Sequence, residues 1–230
     1  VIQDPKNQFI AAILSHTEIH GKEILEIGCG KGRITGDLAR HARRVVAIDP
    51  DAAALEQARQ ANAAANIEYL PMSGSVPAFP AASFNLVFYT LSLHHVPPQE
   101  MQASLLGAAH LLRDGGNIVV IEPGYQGSFI EAKLRFAAGS GDERPAQDAA
   151  IRAMHALPGW FPEETVLFRT EVLFRDLEDF LINMLPKAHQ APGFDRKAVR
   201  AFLEEHRTTE GILLDAERRL NLLRPLPSLF

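Results

Sequence analysis

An open α/β fold, with a parallel sheet covered by helices on both faces, is what this 230-residue sequence predicts. Three observations carry that expectation. Apolar runs that read as strands alternate with amphipathic or Ala-rich runs that read as helices. The strand runs at 23–27, 44–48 and 84–90 are almost continuously apolar, the pattern of strands buried on both faces. Apolar residues make up 47% of the chain, enough for a full core at a length that suits one large domain, or a domain with an appendage.

The elements follow in order. Phe9, Ile10, Ile13, Leu14 and Ile19 space an amphipathic helix within 8–20. The first core strand is 23–27. A helix over 33–41 puts Ile34, Leu38 and Ala42 on one face. The second core strand is 44–48, and the Ala-rich stretch 52–65 is a strong helix former. Asp49-Pro50-Asp51 at its entry offers an acid cap and a first-turn proline. Strands over 67–70 and 84–90 come next, then a helix over 99–112 that Asp114-Gly115-Gly116 ends. A fifth strand covers 117–121. After Pro123 the regular alternation fades. Residues 139–162 are polar and mixed, with room for a helix near 146–156. A strand is expected over 165–174, helices over 177–185 and 197–207, and a final strand over 219–226. The whole reads as one domain over 1–230, with a ligand-holding part at about 21–123 and a less regular part at about 124–230.

Charge and cysteine content narrow the function. The net charge is −5, with a pI of about 6.0, so the chain has no basic field for gripping phosphate backbones, and nucleic acid is a disfavoured partner. Cys29 is the sole cysteine; it cannot form an internal disulfide and suits a reducing compartment. No apolar run approaches the ~20 residues of a membrane span. The chain does not start with Met, and its first residues do not read as a signal peptide. The expectation is a soluble, cytoplasmic protein.

The chemistry lies in the run from Glu26 through Gly28, Cys29, Gly30 and Gly32, followed by Asp49 at the end of the next strand. Glycines let a backbone approach a ligand closely, and a carboxylate at the end of the second strand accepts hydrogen bonds from ribose hydroxyls. That is a nucleoside site. The spacing G-x-G-x-G differs from the dinucleotide G-x-G-x-x-G, because Arg33 stands where the third glycine belongs, and the P-loop string is absent. A structural role is the alternative for each residue: a plain strand-to-helix turn for the glycines, a small filler for Cys29, a strand-end carboxylate held by backbone N–H groups for Glu26, and a helix cap for Asp49.

Six blocks in this order and spacing resemble the small-molecule branch of the class I S-adenosylmethionine-dependent methyltransferases, the group called type 11 or UbiE-like. They are the glycine turn, Asp49, the stretch 72–80, Ser83-Phe84-Asn85-Leu86-Val87, Leu93-His94-His95-Val96 and Leu112-Arg113-Asp114-Gly115-Gly116. The resemblance covers about 21–123. It implies a Rossmann-like sheet of seven strands, parallel except for one near its end, and methyl transfer from S-adenosylmethionine to a small-molecule acceptor by in-line displacement. It also implies a cofactor site of Glu26, Gly28, Cys29, Gly30, Gly32, Asp49, Pro50, Ser73, Gly74, Ser75 and Thr90. Two positions depart from the family: Ser73 replaces the acid that takes the adenine amine, and Asn85 replaces the Asp of the fourth strand.

His94 and His95, at the carboxyl end of the fourth strand, are candidates for a general base. A purely structural role is the alternative, because this string recurs in members with diverse acceptors. Glu122 and Tyr125, after the fifth strand, are candidates for the acceptor pocket. A metal held by His94, His95 and Glu122 finds no further support in the sequence, so none is assigned. The 139–162 segment is a candidate lid.

Overall fold

A computed structural model describes residues 1–73 and 77–227. The chain divides into two compact units: a larger one of Ile10–Pro123, Pro145–Leu167 and the stretch from Arg219 onward, and a smaller one of Val1–Phe9, Gly124–Arg144 and Phe168–Arg218.

The larger unit carries the expected α/β alternation. Helix α1 (Gln8–His16) leads into β2 (Glu23–Ile27), α2 (Arg33–Ala39), β3 (Arg44–Asp49), α3 (Ala52–Ala61), β4 (Ile67–Pro71) and β5 (Phe84–Thr90). A short 3₁₀ turn (Leu93–His95), α4 (Met101–His110), β6 (Leu112–Pro123), α6 (Arg144–His155) and β7 (Trp160–Pro162) follow. The last strand, β9 (Ile212–Pro225), enters this unit with its second half. The strand order is β9-β6-β5-β2-β3-β4. Pairings β5–β6, β2–β5, β2–β3 and β3–β4 are parallel, and β7 pairs antiparallel with β9. Parallel strands buried on both faces explain why Ile24, Leu25, Val45 to Ile48, Val87 to Tyr89 and Ile118 to Ile121 are almost wholly buried.

The chain runs outward from β2 through β3 to β4, then crosses back to β5 on the other side of β2. The order therefore reverses between β2 and β5. Open α/β sheets bind ligands at such a reversal, outside the carboxyl ends of the strands.

Several expected boundaries move, each for a local reason. Helix α3 ends at Ala61 because Asn62 leaves helical geometry and donates its side-chain amide to the Gly32 carbonyl at 2.8 Å. Helix α4 ends at His110 because Leu112 pairs with Phe84 in the sheet. The Asp114-Gly115-Gly116 turn is a bulge inside β6: the register advances from Leu112 to Asn117 while β5 advances only from Phe84 to Leu86. Gly116 has to be glycine there, since a Cβ would lie 2.8 Å from the Asn85 carbonyl oxygen. Among the described residues nine strands form where seven were expected: the added short strands are β7 and β1 (Ile2–Gln3), whose three and two residues carry too little pattern to read. β9 begins at Ile212, seven residues before the expected start.

The 139–162 segment carries α6 over Arg144–His155, close to the helix near 146–156 that the sequence left room for. α6 buries Ala150 and Met154, which join Leu105, Val120 and Leu157 in the core of the larger unit. Removing 140–155 would strip that core and not simply open a lid. Met154→Ala is expected to cost about 2–5 kcal/mol by urea denaturation, the usual penalty of a fully buried truncation. A loss below about 1 kcal/mol would mean that α6 is only loosely attached.

The smaller unit holds β1, α5 (Ser128–Phe136), β8 (Val166–Phe174), α7 (Leu177–Met184), α8 (Arg196–Glu204) and the first half of β9. β1 pairs antiparallel with β8. Its core is aromatic, built on Phe174, Phe180 and Phe202 with Leu181, Leu203 and Leu214. Helices α7 and α8 start where Asp176 and Asp195 accept from backbone N–H groups of the first turn. Among the described residues, no helix is long and apolar enough to cross a membrane.

Candidate functional site

The site begins with the glycine turn between β2 and α2. Gly28, Gly30 and Gly32 have φ of 75°, 53° and 74°, the left-handed region that favours glycine. Two of the three are also held by close packing. A Cβ on Gly28 would stand 2.4 Å from Ser92 Cβ, and one on Gly32 would stand 2.8 Å from Ala58 Cβ and from the Tyr69 hydroxyl. Gly30 is different, since a Cβ there would meet nothing within 4 Å. The open side of the turn is therefore above Gly30.

Asp49 closes the turn from β3. Its Oδ2 accepts from Gly30 N–H at 2.8 Å and its Oδ1 from Asp51 N–H at 2.9 Å. A carboxylate offers about four lone-pair positions. Two are used here, and the half-exposed side chain keeps two for further donors such as paired ribose hydroxyls. Asp49 does not cap α3; Asp51 does, accepting from Ala53 and Ala54. Pro50 and Ser73 are exposed beside it. Gly74 and Ser75 lie outside the described residues.

Glu26 underlies the turn. It is wholly buried, and its two oxygens accept from Thr35 Oγ1 at 2.6 Å and Thr90 Oγ1 at 2.5 Å. One carboxylate thus ties β2, α2 and β5 together. The Thr90 hydroxyl, expected to face the ligand, is turned to Glu26 instead. Glu26 supports the turn through threonine hydroxyls, not through the backbone N–H groups weighed from sequence. Burial pushes its carboxyl above the ordinary carboxylate range, against the opposing pull of the two threonines. The folded protein therefore keeps this proton at pH values where the unfolded chain has lost it. The resulting stabilisation is complete below the unfolded value of about 4.5 and is lost as pH rises through the folded value. Glu26→Gln is expected to remove this slope: wild-type stability should fall relative to the variant between pH 4 and pH 8 in matched urea titrations. Parallel curves would show that folding leaves the proton affinity of Glu26 unchanged.

Cys29 is buried in the turn, and burial beside Glu26 and Asp49 pushes its thiol far above the ordinary range. A thiol held protonated in this way is a poor nucleophile.

Across the reversal, β5 ends in a sharp bend. Leu91 has φ of 59°, rare for a branched side chain, and its N–H donates to the Ile121 carbonyl at 2.7 Å. Ser92 Oγ donates to the Ile27 carbonyl at 2.5 Å, which seats this bend against the glycine turn. The 3₁₀ turn then separates the two histidines. His94 is buried and His95 is exposed, with ring centroids 4.0 Å apart. His94 Nδ1 lies 2.5 Å from Glu122 Oε2, a carboxylate 1% exposed at the end of β6. Tyr125 falls in the smaller unit, where its backbone N–H donates to Glu217 Oε1.

Asn85 has a structural role at the opposite, amino end of β5. Its Oδ1 accepts from the Glu23 N–H at 2.9 Å and from Arg113 at 3.3 Å. Its exchange for the family Asp leaves the glycine turn untouched. Sequence reading missed Thr35, Ser92 and Asn62. Each is a polar residue beside the turn, but only the third dimension shows which atom it reaches.

Reversal point, glycine turn and strand-end carboxylate come together as the candidate site of an open α/β sheet. Residues 24–116 match the family described as methyltransferase domain. An uncharacterized methyltransferase of Mycobacterium tuberculosis is 34% identical over 112 residues, covering 49% of this chain and 53% of that protein. A demethylmenaquinone methyltransferase of Tropheryma whipplei is 32% identical over 111 residues, covering 48% and 45%. The chain thus spans about half the length of the curated relatives it matches. An S-adenosylmethionine-dependent methyltransferase structure from Mesorhizobium loti shares the fold, with a TM-score of 0.53 at 17% identity over 94% of this chain and 99% of that one. Residues 24–116 are thus similar to a methyltransferase domain, and the fold is shared with an S-adenosylmethionine-dependent methyltransferase structure.

Proposed function

We propose that this protein transfers the methyl group of S-adenosylmethionine to a small-molecule acceptor. The observation that carries the reading is the Asp49 carboxylate, pinned by Gly30 and Asp51 and retaining acceptor positions beside the open face of Gly30. The residues fit the cofactor: Asp49 would take the ribose hydroxyls, the Gly28–Gly32 backbone would pass beneath the methionine part, and Pro50 and Ser73 would border the adenine. When bound, the cofactor supplies an already activated methyl group. What remains for the chain is to position the acceptor, exclude water and take a proton where the nucleophile carries one. His94 is our candidate for that proton. Glu26 and Thr90 act from beneath, by fixing the turn. The lone cysteine is in keeping with a cytoplasmic setting.

Calorimetry tests the reading. Micromolar binding of S-adenosylmethionine and S-adenosylhomocysteine is expected, and no binding of NAD. Binding of NAD alone would overturn it.

A further inference from the structure

At the amino ends of the core strands, the larger unit holds a cavity of about 240 Å³ that the proposed cofactor site does not use. It lies between the segment after α1, the start of β5, the Asp114-Gly115-Gly116 bulge and the end of β9. Asn85 lines it, at the far end of β5 from Thr90, so about 17 Å of strand separates the cavity from the glycine-turn end of the sheet. Cavities for drug-sized ligands run from about 300 Å³ upward, so this one suits a small molecule. Thr17, on its wall, is 7% exposed, and its Oγ1 has no hydrogen-bond partner among the described residues. A buried hydroxyl left unmet destabilises a fold. Lys22 is half-buried, and its ammonium pairs with no described carboxylate. Asp114 is exposed and pairs with no described cation. Two further charges on the wall are already engaged: Arg224 pairs with Glu163, and Glu18 accepts from the His20 N–H at 2.8 Å.

We infer that this cavity is a second ligand site, for a small zwitterionic α-amino acid with a short apolar side chain. The inference does not depend on the methyltransferase reading. Lys22 and Asp114 are opposite charges that line one cavity without meeting. A simple cation would pair with Asp114 but leave Lys22 unpaired and be repelled by it. A simple anion stands in the mirror relation. A ligand carrying both charges on one carbon satisfies both at once, with its carboxylate on Lys22 and its ammonium on Asp114. Neutral polar groups complete the set. Asn85 spends its Oδ1 on the Glu23 N–H and Arg113, while its Nδ2 and the Asn117 side chain have no hydrogen bond to described residues. With the Thr17 hydroxyl they supply the further donors that the lone pairs of a carboxylate require. Leu86 and Leu222, each 4% exposed, give the apolar wall for the side chain.

The test uses ¹H–¹⁵N spectra of the intact chain near neutral pH, titrated with L-alanine and L-valine. Saturable shifts are expected at the amides of Thr17, Lys22 and Asn117, with those of Gly30 and Asp49 unmoved. Two fragments of valine are the controls: isovalerate keeps the carbon skeleton and the carboxylate, isobutylamine the skeleton and the ammonium. Each is expected to bind about tenfold or more weakly than valine, because each forfeits one charge-assisted contact. Lys22→Met should remove the advantage of valine over isobutylamine, and Asp114→Asn its advantage over isovalerate, with circular dichroism to show that both are folded. Thr17→Val should weaken valine binding without lowering the urea midpoint, since it removes a hydroxyl that the fold leaves unmet. Absence of saturable shifts with both amino acids, isovalerate or isobutylamine binding as tightly as valine, or unchanged valine affinity in both charge variants would overturn the inference.

Discussion

Asp49→Ala is expected to weaken S-adenosylmethionine binding by a factor of about 100 or more. Two losses add. Hydrogen bonds to a charged acceptor contribute about 1.5–3 kcal/mol each, and a ribose offers two hydroxyls to the same carboxylate. The anchors at Gly30 N–H and Asp51 N–H also go, so the turn loses what fixes its open face. Even one such bond and part of the anchoring amount to about 3 kcal/mol, which is about two orders of magnitude in affinity. Asp49→Asn should fall between, because its amide keeps one acceptor oxygen without the charge. Calorimetry on all three proteins measures the effect, with circular dichroism to show that each is folded. A less than tenfold loss in Asp49→Ala would move the nucleoside elsewhere in the fold.

Gly28→Ala is the second large effect, and it falls on stability. The added Cβ would stand 2.4 Å from Ser92 Cβ at a φ of 75°. Left-handed backbone costs an L-residue about 1–2 kcal/mol, and forced overpacking about 1–3 more. The expected loss is therefore about 2–5 kcal/mol by urea denaturation. Ser92→Gly in the same chain should return the packing part but not the backbone part. Gly30→Ala is the contrast, since its Cβ would meet nothing within 4 Å. There the cost to stability should stay near the backbone penalty alone, while the methyl group intrudes on the ligand side and weakens cofactor binding. Equal stability losses in Gly28→Ala and Gly30→Ala would refute this division of roles.

The larger unit was mostly legible from sequence, because buried parallel strands write themselves as continuous apolar runs. The register of β2, β3 and β5 follows the hydrophobic blocks closely. Helix ends were less legible. Asn62 stops α3 by reaching Gly32, thirty positions away, and no local signal announces that. Residues 139–162 left room for a helix without showing which positions it buries. Its apolar positions, Ala150 and Met154, are sparse among charges, and only packing against Leu105 and Val120 shows that they are core. At the site, the glycines and Asp49 were readable because backbone geometry and ribose chemistry restrict the residue type. Thr90 stands at the expected strand end, and its donation to Glu26 is a contact that no local sequence signal announces. His94 and Glu122 were grouped in the sequence only as a metal set that was not assigned; that the two meet directly, 28 residues apart, follows from β5 and β6 being neighbours.

The seat of the glycine turn has a consequence for selectivity. Asp49 holds Gly30, Ser92 holds the β2 end, and Asn62 holds Gly32, all through contacts internal to the protein. Among the described residues, these three ties need no ligand to form. A nucleoside bound at this turn, as proposed above, would meet a preorganised mould and lose little affinity to ordering the chain. Discrimination among nucleosides then works by rejecting shapes that do not fit, and widening the range of cofactors accepted would require loosening those three ties before adding any new contact.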